Sequence, residues 1–376
     1  MDSISRSVIP PLIAFAVLAA GTPAQDLELV REIGAANGSA SYTFDRIADI
    51  AVDDGGRIFV LDGGDRTVKA YDADGRFLRR IGRSGAGPGE FAFPVRVRVD
   101  GDTLTITDAR LFRVSRFDRD GVHLETMPLP APDGLGLSDL RVLRSGLQLG
   151  TTIFRASLGS AEDHDPYVRA LLFRSGSPRV DTVATFQSQA AIWHVVGGKG
   201  SWGVEPTALG QGGAIAVDGD SLVAIADGTT GIVQWYTPGP AGLVAGRRVD
   251  LAVRAGPVTE RDRDAADAAL HARNRGLPPR IEFIMPPVRS AVTGRAFFDD
   301  THGLWVELNG DGSQGRVWAR VSPDGAVRCA AAPTQLALRA ARGDRLYGVW
   351  TGDFDVETVR VYRLRPGSDG TGRCKP

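Results

Sequence analysis

A short pattern returns along the chain: an Asp, a Val six residues later, and a Tyr or Phe nine residues later. The copies are Asp62, Val68 and Tyr71; Asp108, Val114 and Phe117; Asp227, Val233 and Tyr236; and Asp353, Val359 and Tyr362. Asp311 and Val317 form a partial fifth, with Arg320 in the aromatic place. Self-similarity of this kind marks a repeat architecture, in which each copy belongs to one supersecondary unit and stacking buries a shared core. Turns follow most copies: Asp72-Ala73-Asp74-Gly75, Asp118-Arg119-Asp120-Gly121 and Ser322-Pro323-Asp324-Gly325.

The unit reads as four strands. Ile50 to Asp53 alternates as a first strand, Asp54-Gly55-Gly56 turns, and Arg57 to Leu61 returns; Thr67 to Tyr71 and Phe77 to Ile81 follow as third and fourth strands. Asp62 ends the second strand, where its short side chain can bond the backbone of the next turn. Equivalent strand ends recur after 47 residues (Asp53 to Asp100) and 43 residues (Asp299 to Arg342), periods that suit propeller blades. First strands fall near Ile50, Val97, Leu140, Ile215, Ala296 and Arg339, the third on spacing and alternation alone, because Leu147 to Phe154 and Val168 to Arg174 lack the Asp. The expected fold is therefore all-β, a six-bladed β-propeller of four-stranded antiparallel blades. Leu29 to Gly34 is similar to the fourth strand Phe77 to Gly82 yet precedes any first strand, and the last repeat stops after its third strand, Thr358 to Leu364. The N-terminal strand is expected to complete the last blade and close the ring.

A chain of 376 residues is ordinarily two domains, but the repeat makes residues 25–376 one. Its 44 basic and 45 acidic residues nearly cancel without long runs of either sign, which excludes a nucleic-acid footprint. Residues 1–24 read as a signal peptide: Arg6, an apolar stretch from Val8 to Ala20, then Thr22-Pro23-Ala24 for cleavage. With Pro10 and Pro11 inside it, that stretch is too short to span a bilayer; the mature chain is expected to be exported, periplasmic or extracellular, monomeric, with no membrane span. Cys329 and Cys374 are the only cysteines. In an exported protein they are expected to form a disulfide, two isolated buried thiols being the alternative. Ring closure would bring Cys374 toward the blade that carries Cys329.

The segment Ile81-Gly82-Arg83-Ser84-Gly85-Ala86-Gly87-Pro88-Gly89-Glu90-Phe91 resembles the connector preceding an NHL repeat, and Asp108 to Phe117, with Arg113 in the Arg place, resembles that family's Asp-to-Arg-Val core. The likeness is close in the first two blades and extends over Leu27 to Leu364 as blade pattern. NHL-like propellers include lyases, scaffolds and ligand binders, so the resemblance implies architecture and leaves chemistry open.

Connection lengths indicate where a site would lie. Arg155 to Tyr167 joins a second to a third strand; Gln187 to Gly212 and Arg254 to Val288 join fourth to first strands, so all three long insertions fall on one face of the disc. The last is expected to be helical over about 257–276, with Thr259 as N-cap and Asp262 three residues on, serving as a lid over the channel or as a strut shielding a blade edge. Trp193, His194 and Trp202 supply aromatic and polar groups for binding, or pin their loop to the disc. Asp49, Arg96, Asp139 and Arg295, near the starts of first strands, are expected to ring the channel mouth; alternating signs suit a small polar or zwitterionic ligand. No cofactor is expected. By analogy with propeller lyases, a divalent metal on His164, His194 and His271 is the alternative to exposed histidines, although no short ligand spacing supports it. There is no Gly-x-Ser-x-Gly elbow or phosphate loop, and the glycines around Ala86 lack the following helix that anion binding needs. These features favour a binding or interaction module for a protein, peptide, glycan or small polar ligand, with a metal-assisted lyase or lactonase as the alternative.

Overall fold

The computed structural model describes residues 27–129, 137–143, 146–152, 167–174, 177, 179–195, 202–205, 209, 212–219, 221–240, 242–273, 281–310, 315–365 and 374. The expected signal peptide and His164 lie outside them. Six four-stranded antiparallel sheets form the propeller. Their inner strands are Ile47–Val52, Pro94–Asp100, Leu137–Val142, Gly213–Asp218, Val292–Phe298 and Leu336–Arg342, which we number blades 1 to 6. Each expected first-strand residue lies in one of these. Blade 6 takes Leu27–Ile33 as its outer strand, antiparallel to Glu357–Leu364, from Leu27 opposite Leu364 to Ile33 opposite Val359 with one register shift between Leu29 and Arg31. The N-terminal strand thus closes the ring and removes a free edge.

The repeated Asp is an organiser of turns. Asp62, fully buried, accepts from the amides of Asp45, Arg46 and Asp65 and from Lys69 Nζ at 2.9 Å. It thereby fixes both the entry to its inner strand and the following turn. Asp108 does the same with the amides of Ala92, Phe93, Arg110 and Leu111, while Asp227 holds the following turn through the amides of Thr229 and Thr230. Asp353 differs. Val359 and Tyr362 are equivalent to Val68 and Tyr71, but Asp353 stands on an exposed single helical turn, Asp353–Asp355, because the register pairs Thr351 with Glu357 and leaves a longer loop. The fourth copy of the pattern therefore keeps its strand and loses its capping Asp.

The glycine-rich connector is held by Arg113, whose guanidinium donates to the carbonyls of Ala86, Gly87 and Glu90 at 2.6–2.8 Å. Glu90 in turn accepts from the Gly87 amide and from Arg83. Gly82, at φ +72°, is pressed against the Phe91 ring, where a Cβ would collide, so only glycine fits there.

Apolar side chains from facing sheets form clusters between blades 6 and 1, 1 and 2, 3 and 4, 4 and 5, and 5 and 6. Among the described residues no such cluster joins blades 2 and 3. Cys329, on the outer strand of blade 5, is disulfide-bonded to Cys374 with Cα atoms 5.5 Å apart, which ties the C-terminal end to the disc. The helical insertion is real: α1 spans Glu260–Arg273, inside the expected 257–276. Thr259 and Asp262 form its capping box, the Asp262 amide donating to Thr259 Oγ1 and the Thr259 amide to Asp262 Oδ2. Ala266 and Leu270, one turn apart, are its buried face. No described helix is long and apolar enough to cross a membrane.

Candidate functional site

We call upper the face that carries the second-to-third and fourth-to-first connections, where inner strands begin. Five of the six inner strands have a register shift near that end: between Ile47 and Asp49, Pro94 and Arg96, Ser138 and Arg141, Val292 and Ala296, and Leu338 and Ala340. A bulge breaks the two-residue alternation and re-aims a side chain that the pleat would bury between blades. In all five a charged residue stands at that break: Asp139, whose side chain lies outside the described set, and Asp49, Arg96, Arg295 and Arg339, whose side chains are described.

These charges come from separate blades and interact in sequence around the axis. Burial pushes the Asp49 carboxyl above its ordinary range, against the opposing pull of Arg96 and then Arg339 from the two neighbouring blades; the Val97 amide donates to it at 3.1 Å. Burial, then the adjacent Arg295, pushes Arg339 down to about 10. Arg295 is likewise lowered by burial, while Glu307 opposes the shift. Its side chain is 41 % exposed. Glu307, buried on the second strand of blade 5, accepts from Thr293 Oγ1 at 2.6 Å and Arg316 Nη1 at 2.7 Å, with Arg295 Nη1 3.8 Å away. Arg295 Nη1 is itself buried without a hydrogen-bond partner.

Three of the expected mouth residues, Asp49, Arg96 and Arg295, are thus brought together. Asp139 lies on the inner strand of blade 3, its side chain outside the described set. Blade 4 carries no bulge and no charge there, its inner strand pairing without a shift from Gly213 to Asp218. Arg339, Glu307 and Arg316 were not among the expected residues. Arg339 was marked as a first-strand position, and its spacing of 44 from Arg295 was the available signal. Instead of simple alternation, the described mouth has Asp49 between two arginines and an arginine excess.

Two insertions of the upper face meet. Ala191–Val195 pairs on one side with Trp202–Glu205 and on the other with Ile281–Ile284, so the Gln187–Gly212 and Arg254–Val288 segments share one three-stranded sheet. The register sets His194 opposite Trp202 and Glu282, and Trp193 opposite Gly203 and Phe283. The buried Gln189 accepts from the Ser290 amide at 3.1 Å, a second tie between the two insertions. The base of the helical insertion is closed by Gly256–Pro257 pairing with Val288–Arg289, and Arg289 reaches Asp262 of α1 at 3.3 Å. His271 is on α1, its Nδ1 3.0 Å from the Asp267 carbonyl. Among the described residues no three of His, Cys, Asp or Glu are grouped to hold a metal ion.

A family model, DUF5128, described as a 6-bladed beta-propeller, matches residues 39–132, which is blade 1, blade 2 and their connector. The fold is a six-bladed β-propeller. A Bacteroides fragilis protein described as exported is 13 % identical, covers 92 % of this chain and 97 % of its own length, and superposes with a TM-score of 0.53. A member of the DUF4221 family from Bacteroides vulgatus is 9 % identical, with 92 % and 99 % covered and a TM-score of 0.50. A Xanthomonas campestris gluconolactonase is 14 % identical over 90 % of this chain and 99 % of its own, at a TM-score of 0.44 that carries no argument about chemistry. No curated protein sequence matches the chain. At these identities the likenesses speak for the fold alone.

Proposed function

We propose that this chain is an exported, NHL-like propeller that works as a binding module, taking its ligand at the upper mouth of the channel beneath the joined insertions. The observation that carries this is the pairing of two separate insertions, through Ala191–Val195 and Ile281–Ile284, on the face where bulges collect Asp49, Arg96, Arg295 and Arg339. A rigid ring that presents charges at one end, with ordered connections over them, is the usual way a scaffold makes a binding surface. The arginine excess favours a ligand or peptide segment bearing carboxylate, since the guanidinium fork matches its two oxygens. The disulfide supports an oxidising compartment. Arg113, folding the connector as a single fork on three carbonyls, supports the NHL-like reading of blades 1 and 2.

The test is a screen of the mature protein against peptides, glycans and small organic acids, repeated with Arg295→Gln and Arg339→Gln. A stable complex weakened by both variants is expected. Binding unchanged in both, or turnover of a compound with no stable complex, would overturn the reading; elemental analysis of protein purified without chelators would then address a metal-assisted lyase or lactonase.

A further inference from the structure

The turn after the repeated Asp offers an internal comparison, because blades 1, 2 and 4 build it from different side chains. Four residues beyond that Asp the chain is left-handed each time, at φ 57° for Arg66, 46° for Phe112 and 66° for Gly231. Blade 4 uses the residue that accepts this backbone freely, whereas an aromatic residue there is an outlier that strains the chain. Burial offsets little of that strain, since Phe112 is 52 % exposed. The residue just before the one paired with the Asp shows the same contrast. It is Arg46 in blade 1, ahead of Ile47 opposite Asp62, and Phe93 in blade 2, ahead of Pro94 opposite Asp108. Phe93 is 47 % exposed. At both places blade 1 folds with an arginine where blade 2 carries a half-exposed phenylalanine, so the fold demands neither ring.

The two phenylalanines belong to one rigid ledge of the upper rim. Buried Asp108 holds the Phe93 amide on one side and the Arg110 and Leu111 amides on the other, and the Ala109 amide donates to the Phe93 carbonyl at 3.0 Å. Arg46 reaches over from blade 1, its guanidinium carbon 5.5 Å from the centre of the Phe93 ring. Arg46 and Arg110 are exposed, and no carboxylate among the described residues forms an ion pair with either. Exposed aromatic rings flanked by arginine are the composition that marks a protein-binding surface. We propose that this ledge docks an acidic segment of another protein, which presents apolar side chains to Phe93 and Phe112 and carboxylates to Arg46 and Arg110. Charge decides among the occupants. A second copy docked ledge to ledge would gather the Arg46 and Arg110 of both chains in one contact. An anionic membrane laid on the upper face would also meet the exposed Asp45, Asp353 and Asp355, whereas a single segment follows the ledge alone. The ledge shares no residue with the channel mouth, so this partner and the channel ligand are separate.

Fluorescence polarisation of the mature chain tests this with a labelled octapeptide alternating glutamate and leucine, against lysine–leucine and glutamate–serine counterparts. The glutamate–leucine peptide is expected to bind wild type about tenfold or more tighter than either counterpart, and less tightly as salt rises. Phe112→Gly, Phe93→Ser and Arg110→Gln are each expected to weaken it about fivefold or more. Phe354→Ala, at a 99 % exposed ring on blade 6 between two aspartates, is expected to change it by less than about twofold. Phe112→Gly supplies a second readout, because glycine relieves the left-handed backbone: its thermal midpoint is expected to equal or exceed that of wild type. A midpoint lowered by about 5 °C or more would make Phe112 part of the fold and overturn the proposal. Equal binding of the three peptides, no binding at millimolar concentration, or equal binding by wild type and the three ledge variants overturns it too. Dimerisation in sedimentation that Phe112→Gly abolishes overturns it in favour of a second copy. Binding to phosphatidylglycerol vesicles that Phe112→Gly abolishes, with no peptide bound, overturns it in favour of a membrane.

Discussion

Deleting residues 25–35 removes the strand that closes the ring, and its cost can be worked from what that strand contacts. Ile33, 2 % exposed, packs into the cluster between blades 6 and 1 with Tyr347, Val349 and Val359. Losing a buried Ile of this kind costs about 3 kcal/mol. Leu27 is partly buried against the cluster between blades 5 and 6, and Val30 is half-buried; together they add about 1–2 kcal/mol. Glu32 accepts from Thr358 Oγ1 at 2.8 Å and pairs with Arg360 at 3.2 Å, contacts worth about 1 kcal/mol at a partly exposed site. The sum is on the order of 5 kcal/mol, comparable to the whole stability of many domains. It excludes the unpaired donors and acceptors left along Glu357–Leu364, which would also invite edge-to-edge association. Thermal melting and light scattering of chains beginning at residue 25 and at residue 36 measure the effect. A midpoint lower by about 10 °C, taking the low end of the usual conversion for a chain of this length, with association at micromolar concentration, is expected. Equal midpoints and a monodisperse truncated protein would refute the closure energetics argued here.

Reduction of the Cys329–Cys374 disulfide, which closes a 45-residue separation, should lower stability by about 4 kcal/mol on the chain-entropy account, read as a lower urea midpoint in dithiothreitol. Asp62→Ala should cost about 3 kcal/mol, because it takes from the buried Lys69 the nearer of its two carboxylates, leaving Asp65 at 3.3 Å, and removes the acceptor of the Asp45, Arg46 and Asp65 amides, whereas Asp353→Ala, exposed and capping nothing, should change stability by less than about 0.5 kcal/mol. Although burial pushes it up, the hydrogen bonds from Lys69, then from the Asp65 and Arg46 amides, hold the Asp62 carboxyl below its ordinary value. Its contribution is therefore complete above about pH 4 and is lost as acid titrates the folded carboxylate, so wild type and Asp62→Ala should converge in urea melts at low pH and diverge at neutral pH. Arg113→Ala should release three carbonyls of the glycine-rich connector, and limited proteolysis should cut between residues 83 and 90 faster than in wild type, with Arg113→Lys only partly protecting.

Blade count, closure and the helical insertion were legible because each rests on local chemistry. Alternation places strands, an Asp at a strand end has one common use, and Thr259 with Asp262 is a capping box in sequence and in space. Asp353 shows the limit of that reading. Its spacing to Val359 and Tyr362 is right by count, but Val359 pairs with Val349 where Val68 pairs with Leu61, so Asp353 falls three residues beyond the counterpart of Asp62, and residue counting cannot see a register. Joining of the two insertions by Ala191–Val195 and Ile281–Ile284 was equally invisible, since partners 90 residues apart leave no local trace.

The mouth was half legible for a similar reason. Asp49, Arg96 and Arg295 interrupt otherwise apolar inner strands and could be seen as charges out of place. Arg339 and Glu307 sit where alternation permits a polar residue, and only the three-dimensional ring shows that they face Arg295. The polar face of blade 2 is different, because its signal is present in the alternation itself. Inner and second strands of blade 1 read Ile47, Ile50 and Ile58 to Leu61, and apolar clusters cover both of its faces. Those of blade 2 read Arg96-Val97-Arg98-Val99-Asp100 and Thr103-Leu104-Thr105-Ile106-Thr107, apolar only at every second place. Such strict alternation is the mark of a sheet with one wet face. A blade inside a closed ring has a neighbour on each side, so a one-faced pattern on its two inner strands predicts that these strands turn polar groups toward one neighbour, and the parity of the arginines says which: Val97, Leu104 and Ile106 pack toward blade 1, and Arg96, Arg98, Thr105 and Thr107 take the other face.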